Sequence, residues 1–267
     1  MSLPETETLL LEEELPFLHV TLNRPEARNA MSLAMVEELM AVFDAVAERT
    51  DIRALVLRGA GGHFCAGGDI KDMAGARQKA AQGDEDAYFS LNRRFGEMIT
   101  RANRLPQVVV AVVEGTVMGG GFGLACVTDV ALAAEDAKFS LPETGLGLIP
   151  AQIAPFVVQR VGLTRGRRLA LTGARFDGNE ALRLDIVHEV APAAQLDERL
   201  RAVLEQIRRC GPMANRKTKE LMLNVGEVPQ EELLDQAARD FAAAVNGPEG
   251  TEGTMAFMQK RLPEWAQ

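Results

Sequence analysis

Apolar positions fall first into two short strand-like runs, residues 9–12 and 18–22, whose alternation with polar residues predicts strands. Asn23-Arg24-Pro25 ends the second run, because proline cannot continue a hydrogen-bonded ladder. The period then changes. Met35, Val36, Leu39, Met40, Phe43 and Val46 recur at helical spacing behind Ser32, a capping residue, with Glu37 and Glu38 near the start. Residues 54–57 form a short apolar strand, and Gly59-Ala60-Gly61-Gly62 a turn. A polar helix-like stretch follows Asp69, and residues 74–86, with small and charged side chains and weak periodicity, read as a mobile surface excursion. An amphipathic helix over 92–103 precedes a buried strand, Val108–Val113, and the glycine cluster 119–123 leads into a short apolar helix ending near Cys126. Residues 130–133 and Lys138–Ser140 are further strands, and 151–161 a helix.

Strand and helix alternate, so the pattern predicts an α/β architecture with crossover connections. From about Gln195 the β signal disappears: Leu196–Arg209 and residues 213–225, 231–245 and 250–261 are helical. This places a soft boundary between a core, residues 1–195, and a helical region, 196–267.

Composition narrows the chemistry. With 267 residues, 47% of them hydrophobic and 25% charged, the chain can bury a sizeable core. A formal charge of -9 repels phosphate backbones, and eleven Phe, one Tyr and one Trp leave little for stacking bases, so a nucleic-acid partner is not expected. No apolar run is long enough to span a bilayer, and no basic start precedes an apolar stretch as in a signal peptide. Cys65, Cys126 and Cys210 are far apart and form no CxxC pair. The expectation is a soluble cytoplasmic protein without disulfides, membrane contact or a structural metal.

Several catalytic motifs fail. The chain has no GxxxxGK[ST], no GxSxG elbow and no HExxH, and the cluster at Gly119 lacks the third glycine of GxGxxG. His19, His63 and His188 read as histidines satisfied in or near the core. Two glycine-rich segments remain, Phe64-Cys65-Ala66-Gly67-Gly68-Asp69 and Gly119-Gly120-Gly121, each following a strand. Such loops can aim successive N–H groups at one carbonyl oxygen, although they are equally readable as tight strand-to-helix turns. Glu143, just past a strand end in Leu141-Pro142-Glu143-Thr144-Gly145, is either an acid/base group or a solvated loop glutamate.

Taken together, these segments carry a family resemblance. Leu22-Asn23-Arg24-Pro25 with Asn29-Ala30, Phe64-Cys65-Ala66-Gly67-Gly68-Asp69-Ile70, Glu114-Gly115 with Gly119-Gly120-Gly121, and Lys138-Phe139-Ser140-Leu141-Pro142-Glu143 resemble the enoyl-CoA hydratase/isomerase (crotonase) family. So does the ending Glu252-Gly253 with Phe257 and Lys260-Arg261, and the match runs in order over essentially the whole chain. The resemblance implies a crotonase-type ββα superhelix (spiral) core with a helical C-terminal trimerisation region, hence a homo-oligomer, a trimer or dimer of trimers. It implies an acyl-CoA substrate, coenzyme A being part of that substrate, and no separate cofactor. Residue by residue, it places the two N–H groups that hold the thioester oxygen at Ala66 and Gly120, and the acid/base at Glu143. Ala66, Gly67, Gly68, Asp69 and Ile70 match the stretch that lines coenzyme A. Lys260 matches a basic residue that meets its phosphates, frequently from a neighbouring subunit.

One departure bears on mechanism. Hydratases of this family carry a first glutamate three residues past the middle glycine of the GGG motif, and here that position is Gly123. A single carboxylate suffices to move a proton between two carbons, as in the family's isomerases, whereas hydration also needs a positioned water. Gln152 is a candidate for holding that water, since an amide orients water without titrating. A narrower resemblance, in residues 148–158, 119–126 and 257–261, points to the family's hydratases of branched glutaconyl thioesters, the isohexenylglutaconyl-CoA hydratases of acyclic terpene catabolism. There the substrate's distal carboxylate could supply the missing group. The sequence therefore leads to a 2-enoyl-CoA hydratase, with an enoyl-CoA isomerase or a non-catalytic acyl-CoA-binding paralogue as the alternatives.

Overall fold

The computed structural model describes residues 2–267. In chain order, β1 (Leu9–Glu14) and β2 (Phe17–Leu22) form a hairpin, and α1 (Leu33–Ala47) leads to β3 (Ala54–Gly59). Two helices, α2 (Ile70–Ala81) and α3 (Ala87–Arg104), precede β4 (Val108–Val113), β5 (Thr116–Met118) and the short α4 (Gly120–Cys126). After β6 (Val130–Ala134) and β7 (Lys138–Ser140) come a 3-10 turn, Glu143–Leu146, and the long α5 (Ala154–Thr172). Next follow β8 (Arg175–Phe176), α6 (Gly178–Arg183) and β9 (Glu189–Ala191), then α7 (Leu196–Arg209), α8 (Pro212–Leu223), α9 (Gln230–Asn246) and α10 (Pro248–Met258).

The larger sheet runs β1-β2-β3-β4-β6-β9, parallel except for β1. Its central strands are buried almost throughout, which is why 54–57 and 108–113 read as unbroken apolar runs. The smaller sheet runs β5-β7-β8, and Cys65 extends it by a parallel bridge to Val117. A repeat follows from this pairing. Each turn of chain gives one strand to the large sheet (β3, β4, β6), one extended piece to the small one (Cys65, β5, β7), and then helix. The glycine loops at 67–68 and 119–120 occupy the same place in successive turns, so the spiral itself brings them side by side.

Buried side chains fix the register. Ser32 Oγ accepts from the Met35 amide to start α1, whose apolar stripe Met35, Val36, Leu39, Met40, Phe43 and Val46 is wholly buried. The Asn23-Arg24-Pro25 segment is a staple rather than a strand end alone. Asn29, fully buried, accepts from the Arg24 amide and donates to the carbonyls of Ala60 and His63, tying this turn to the one before Phe64.

Two expectations change. Residues 74–86 are not a loose excursion: α2 runs through Ala81, capped by Asp69 accepting from the Lys71 amide. Only Ala76 of α2 is buried, so the helix has no apolar stripe for a sequence to display. The boundary at 195 separates composition, not packing. Leu196, Leu200, Val203, Leu204 and Ile207 of α7 are buried in the main core, while α8 and α9 bury no residue and α10 only Ala256. The last strands, β8 and β9, are brief and lie before residue 195, where the β signal was expected to end.

Candidate active site

The two glycine loops and Glu143 converge where the turns of the spiral stack. A Cβ on Gly67 would lie 3.4 Å from the Met118 carbonyl oxygen and 3.9 Å from Gly119 Cα. One on Gly119 would lie 3.0 Å from Glu143 Oε1, and Gly119 has φ +49°, which glycine adopts at no steric cost. One on Gly121 would fall 2.5 Å from Cys65 Cβ. A side chain at Gly121 would collide with Cys65, while at Gly67 (φ +104°) and Gly119 it is the left-handed backbone that favours glycine.

An account of amide donors shows what the loops present. The Cys65 amide donates to Thr116 (2.9 Å), Gly67 to Cys65 Sγ (3.4 Å), Asp69 to Met31 (3.0 Å) and Gly119 to Ser140 (3.2 Å). Ala66, the expected donor to the substrate, instead donates to the Arg28 carbonyl at 3.0 Å. Its N–H is engaged inside the protein. The amide left without an acceptor on this loop, among the described residues, is that of the exposed Gly68, and on the other loop it is that of Gly120. Both sit one residue past the pair that touches, Gly67 and Gly119. The Gly-Gly pair at 67–68 was visible in the sequence, but that Gly68 carries the free amide of the loop depends on other acceptors, the Arg28 carbonyl taking Ala66 and Cys65 Sγ taking Gly67.

Glu143 opens the 3-10 turn after β7, held by Thr144 Oγ1 donating to Ala170 and the Leu148 amide donating to the Glu143 carbonyl. Its Oε2 is buried without a hydrogen-bond partner, and burial pushes its carboxyl above the usual glutamate range. A half-buried carboxylate with an unsatisfied oxygen beside two free amides is equipped to exchange a proton with a bound molecule.

The remaining predicted residues divide. Ile70, first in α2, is 83% exposed. The Asp69 carboxylate is committed to Arg24 (2.7 Å) and to the Lys71 amide (2.7 Å), so it shapes the loop from within instead of presenting its charge to a ligand. Gln152 is tied to α3 through its amide: Oε1 accepts from Arg93 Nη1 (3.1 Å) and Nε2 donates to Asn92 Oδ1 (3.0 Å), which leaves one N–H and one lone pair of that amide unassigned. Lys260 follows α10, and its ammonium bonds nothing among the described residues. At Gly123, the space a side chain would fill belongs to Ile153, whose Cβ would be 2.7 Å from a Cβ there, and to Ile99 Cδ1 at 3.2 Å. The sequence did not expose two wall residues. Phe95 of α3 lies 3.0 Å from where a Gly120 Cβ would be, and Ile153 closes the side opposite.

Other chemistries find no support in the side chains. Burial pushes the thiols of Cys65 and Cys126 up, to about 11 and about 12, far from a nucleophilic thiolate. Among the described residues no three His, Cys, Asp or Glu side chains are grouped to hold a metal ion, and no helix is long and apolar enough to cross a membrane.

The enoyl-CoA hydratase/isomerase family profile matches residues 13–267. The chain belongs to that family. The fold is the crotonase fold: Pseudomonas aeruginosa AtuE superposes with a TM-score of 0.95 at 63% identity, over 98% of this chain and 100% of that one. The peroxisomal Delta(3,5)-Delta(2,4)-dienoyl-CoA isomerase of Arabidopsis thaliana is 31% identical over 259 residues, covering 93% of this chain and 92% of the relative. The 2,3-dehydroadipyl-CoA hydratase of Escherichia coli is 29% identical over 258 residues, covering 96% and 98%. Hydratases and isomerases of this family thus both align with the chain along nearly its whole length.

Proposed function

We propose that this chain adds water to a 2-enoyl-CoA thioester, specifically a branched glutaconyl-CoA of the isohexenylglutaconyl type, through an enolate held by the Gly68 and Gly120 amides. The observation that carries the reading is the juxtaposition of those two unengaged donors with Glu143 and its unpartnered Oε2. Water attacks the β-carbon of the enoyl group and gives a proton to the Glu143 carboxylate, while the double-bond electrons move onto the thioester oxygen. That proton then passes from Glu143 to the α-carbon as the enolate collapses. The product is a 3-hydroxyacyl-CoA, and the carboxylate is regenerated. Fixed N–H donors stabilise the charge that develops on the oxygen, one donor typically contributing about 3 kcal/mol. Coenzyme A, as part of the substrate, runs along Gly67, Gly68 and Ile70, and no other cofactor is needed.

The branched glutaconyl substrate is supported by the resemblance in residues 148–158 and by the E. coli relative, whose name describes a thioester with a second carboxylate. The apolar wall of Ile153 and Ile99 at Gly123 favours a second reading, an isomerase in which Glu143 alone carries a proton from one carbon to another. We also propose a cytoplasmic homo-oligomer, a trimer or dimer of trimers, because α8 and α9 bury nothing within one chain.

The test is turnover of a branched glutaconyl-CoA in heavy-oxygen water, read by mass spectrometry. Label in a hydroxyacyl-CoA, falling about 10²- to 10⁴-fold in rate with Glu143→Gln, is the expected result. A shifted double bond without label makes the chain an isomerase. Thioester that binds but returns unchanged makes it an acyl-CoA-binding protein.

A further inference from the structure

Gly96 lies inside α3, where glycine costs about 1 kcal/mol against alanine. The place of its missing Cβ is occupied. Gln152 Oε1 lies there, and Arg93 Nη1 would be 2.5 Å from such a Cβ, so the Arg93 guanidinium is folded back across its own helix. Any larger residue at 96 would expel both groups. Gln152 is itself braced by Asn92, which makes Asn92, Gln152 and Arg93 one hydrogen-bonded chain.

This chain borders the acyl site. Phe95 packs where Gly120 lacks a side chain, Ile99 where Gly123 does, and Ile153 is the next residue after Gln152. The α3 face that carries Asn92, Gly96 and Ile99 is therefore the wall beside the oxyanion donors, and the exposed Arg93 lies across Gly96 on it. Arg93 is also the odd charge in its neighbourhood. Arg94 pairs with Glu37 and Glu97, and Arg101 with Asp44, whereas Arg93 has an amide for a partner and no ion pair among the described residues. In a chain with nine excess negative charges, a cation parked by a neutral amide at the edge of a substrate wall is poised for an anionic ligand.

We propose that Arg93, held over Gly96 by Gln152, receives the second carboxylate of a dicarboxylic acyl-CoA and so selects thioesters of that class. The inference rests on the acyl-CoA reading above. In a glutaconyl thioester that carboxylate stands four bonds from the thioester carbon, on the side away from coenzyme A, and the planar guanidinium can grip it with two parallel N–H bonds. Gln152 then acts as a positioning residue for Arg93, which explains why both ends of its amide are engaged.

Saturated thioesters separate recognition from chemistry, because they bind without reacting. Calorimetry with glutaryl-CoA and butyryl-CoA is expected to show that the parent protein prefers glutaryl-CoA. Arg93→Gln should weaken glutaryl-CoA roughly 10- to 100-fold, the size of one hydrogen bond to a charged group, and leave butyryl-CoA within about twofold. Arg93→Lys should recover part of the loss, and Gly96→Leu, which displaces Gln152 and Arg93, should reproduce it. Equal affinity of the parent for the two thioesters overturns the proposal, and so does an equal loss for both in Arg93→Gln. The heavy-oxygen experiment distinguishes the failures. Labelled product without glutaryl preference leaves hydration standing and removes the role of Arg93, while glutaryl preference without label does the reverse. A parent that binds neither thioester removes both.

Discussion

A glycine can be conspicuous for what stands in its place, and Gly123 is such a residue. The space a side chain there would take is filled by Ile153 and Ile99, both buried. The missing carboxylate has been replaced by packing, so restoring it is a different act from restoring a catalytic group to a vacant position. Gly123→Glu must overpack this wall and bury a charge without a partner, and we expect it to destabilise the fold by about 2–4 kcal/mol in urea denaturation without raising hydration. Adding Ile153→Ala should return much of the stability. Glu143 is the converse case, a carboxylate the fold tolerates at a cost. Burial raises its carboxyl above the unfolded value, so the folded state holds that proton more tightly and stability contributed at this site falls as pH rises through the window between the two values. Glu143→Gln should therefore be more stable than the parent at pH 8, with the advantage shrinking as the pH is lowered through that window, measured as Tm against pH. A less stable variant at pH 8 would show that Glu143 has a partner once folded. The sequence announced Glu143 and Gly120 as candidates through their motifs, yet it named Ala66 where the free amide is Gly68. Motif spacing locates a loop, but which N–H is left over is decided by Arg28 and Met31, which arrive from another loop.

Elements were legible where their apolar positions keep a period, whether a single chain buries that face, as in α7, or leaves it exposed, as in α9. The helix Leu196–Arg209 was readable to the residue because Leu196, Leu200, Val203, Leu204 and Ile207 form one buried stripe, whereas α2 was read only as a polar helix-like stretch after Asp69 and cut short at 74, because it buries only Ala76. Strands of two or three residues, such as β5 and β8, are too short to display a period and are held by pairing with β7. The attachment of α8 shows a different kind of hidden information. It buries no residue completely, yet Lys219 reaches through to Asp129 (2.7 Å) and to the Gln107 carbonyl (3.0 Å), and Asp129 also accepts from the Val109 amide (2.7 Å) on β4. Burial pulls the Lys219 ammonium below its ordinary range, with Asp129 opposing that shift. Removing only the acid leaves a buried cation without its counter-charge, so Asp129→Ala should cost about 3 kcal/mol of stability. Lys219→Met should cost less. Equal losses in the two variants would mean that lost packing, not an uncompensated charge, is what the first one measures.

At the scale of the whole molecule, the C-terminal helices make sense only with something against them. α9 and α10 pack on one another, but Phe241 is 72% exposed and Phe257 84%, and apolar area of that kind on an acidic protein is what a subunit interface covers. Lys260 stands three residues beyond Phe257, with its ammonium unengaged and its neighbour Arg261 bound to Glu252. An assembly that buries Phe257 would carry Lys260 onto the next subunit, where it could meet the phosphates of coenzyme A. Sedimentation of the parent is expected to give a mass of three or six chains, and Phe257→Glu to give monomers that retain the far-ultraviolet dichroism of the parent. With the interface and the CoA contact on one segment, as proposed, Phe257→Glu and Lys260→Gln should raise KM by similar factors, and the double variant should be no worse than Phe257→Glu alone. If the two effects multiplied instead, Lys260 would be acting within its own subunit, and the link between assembly and substrate binding would fall.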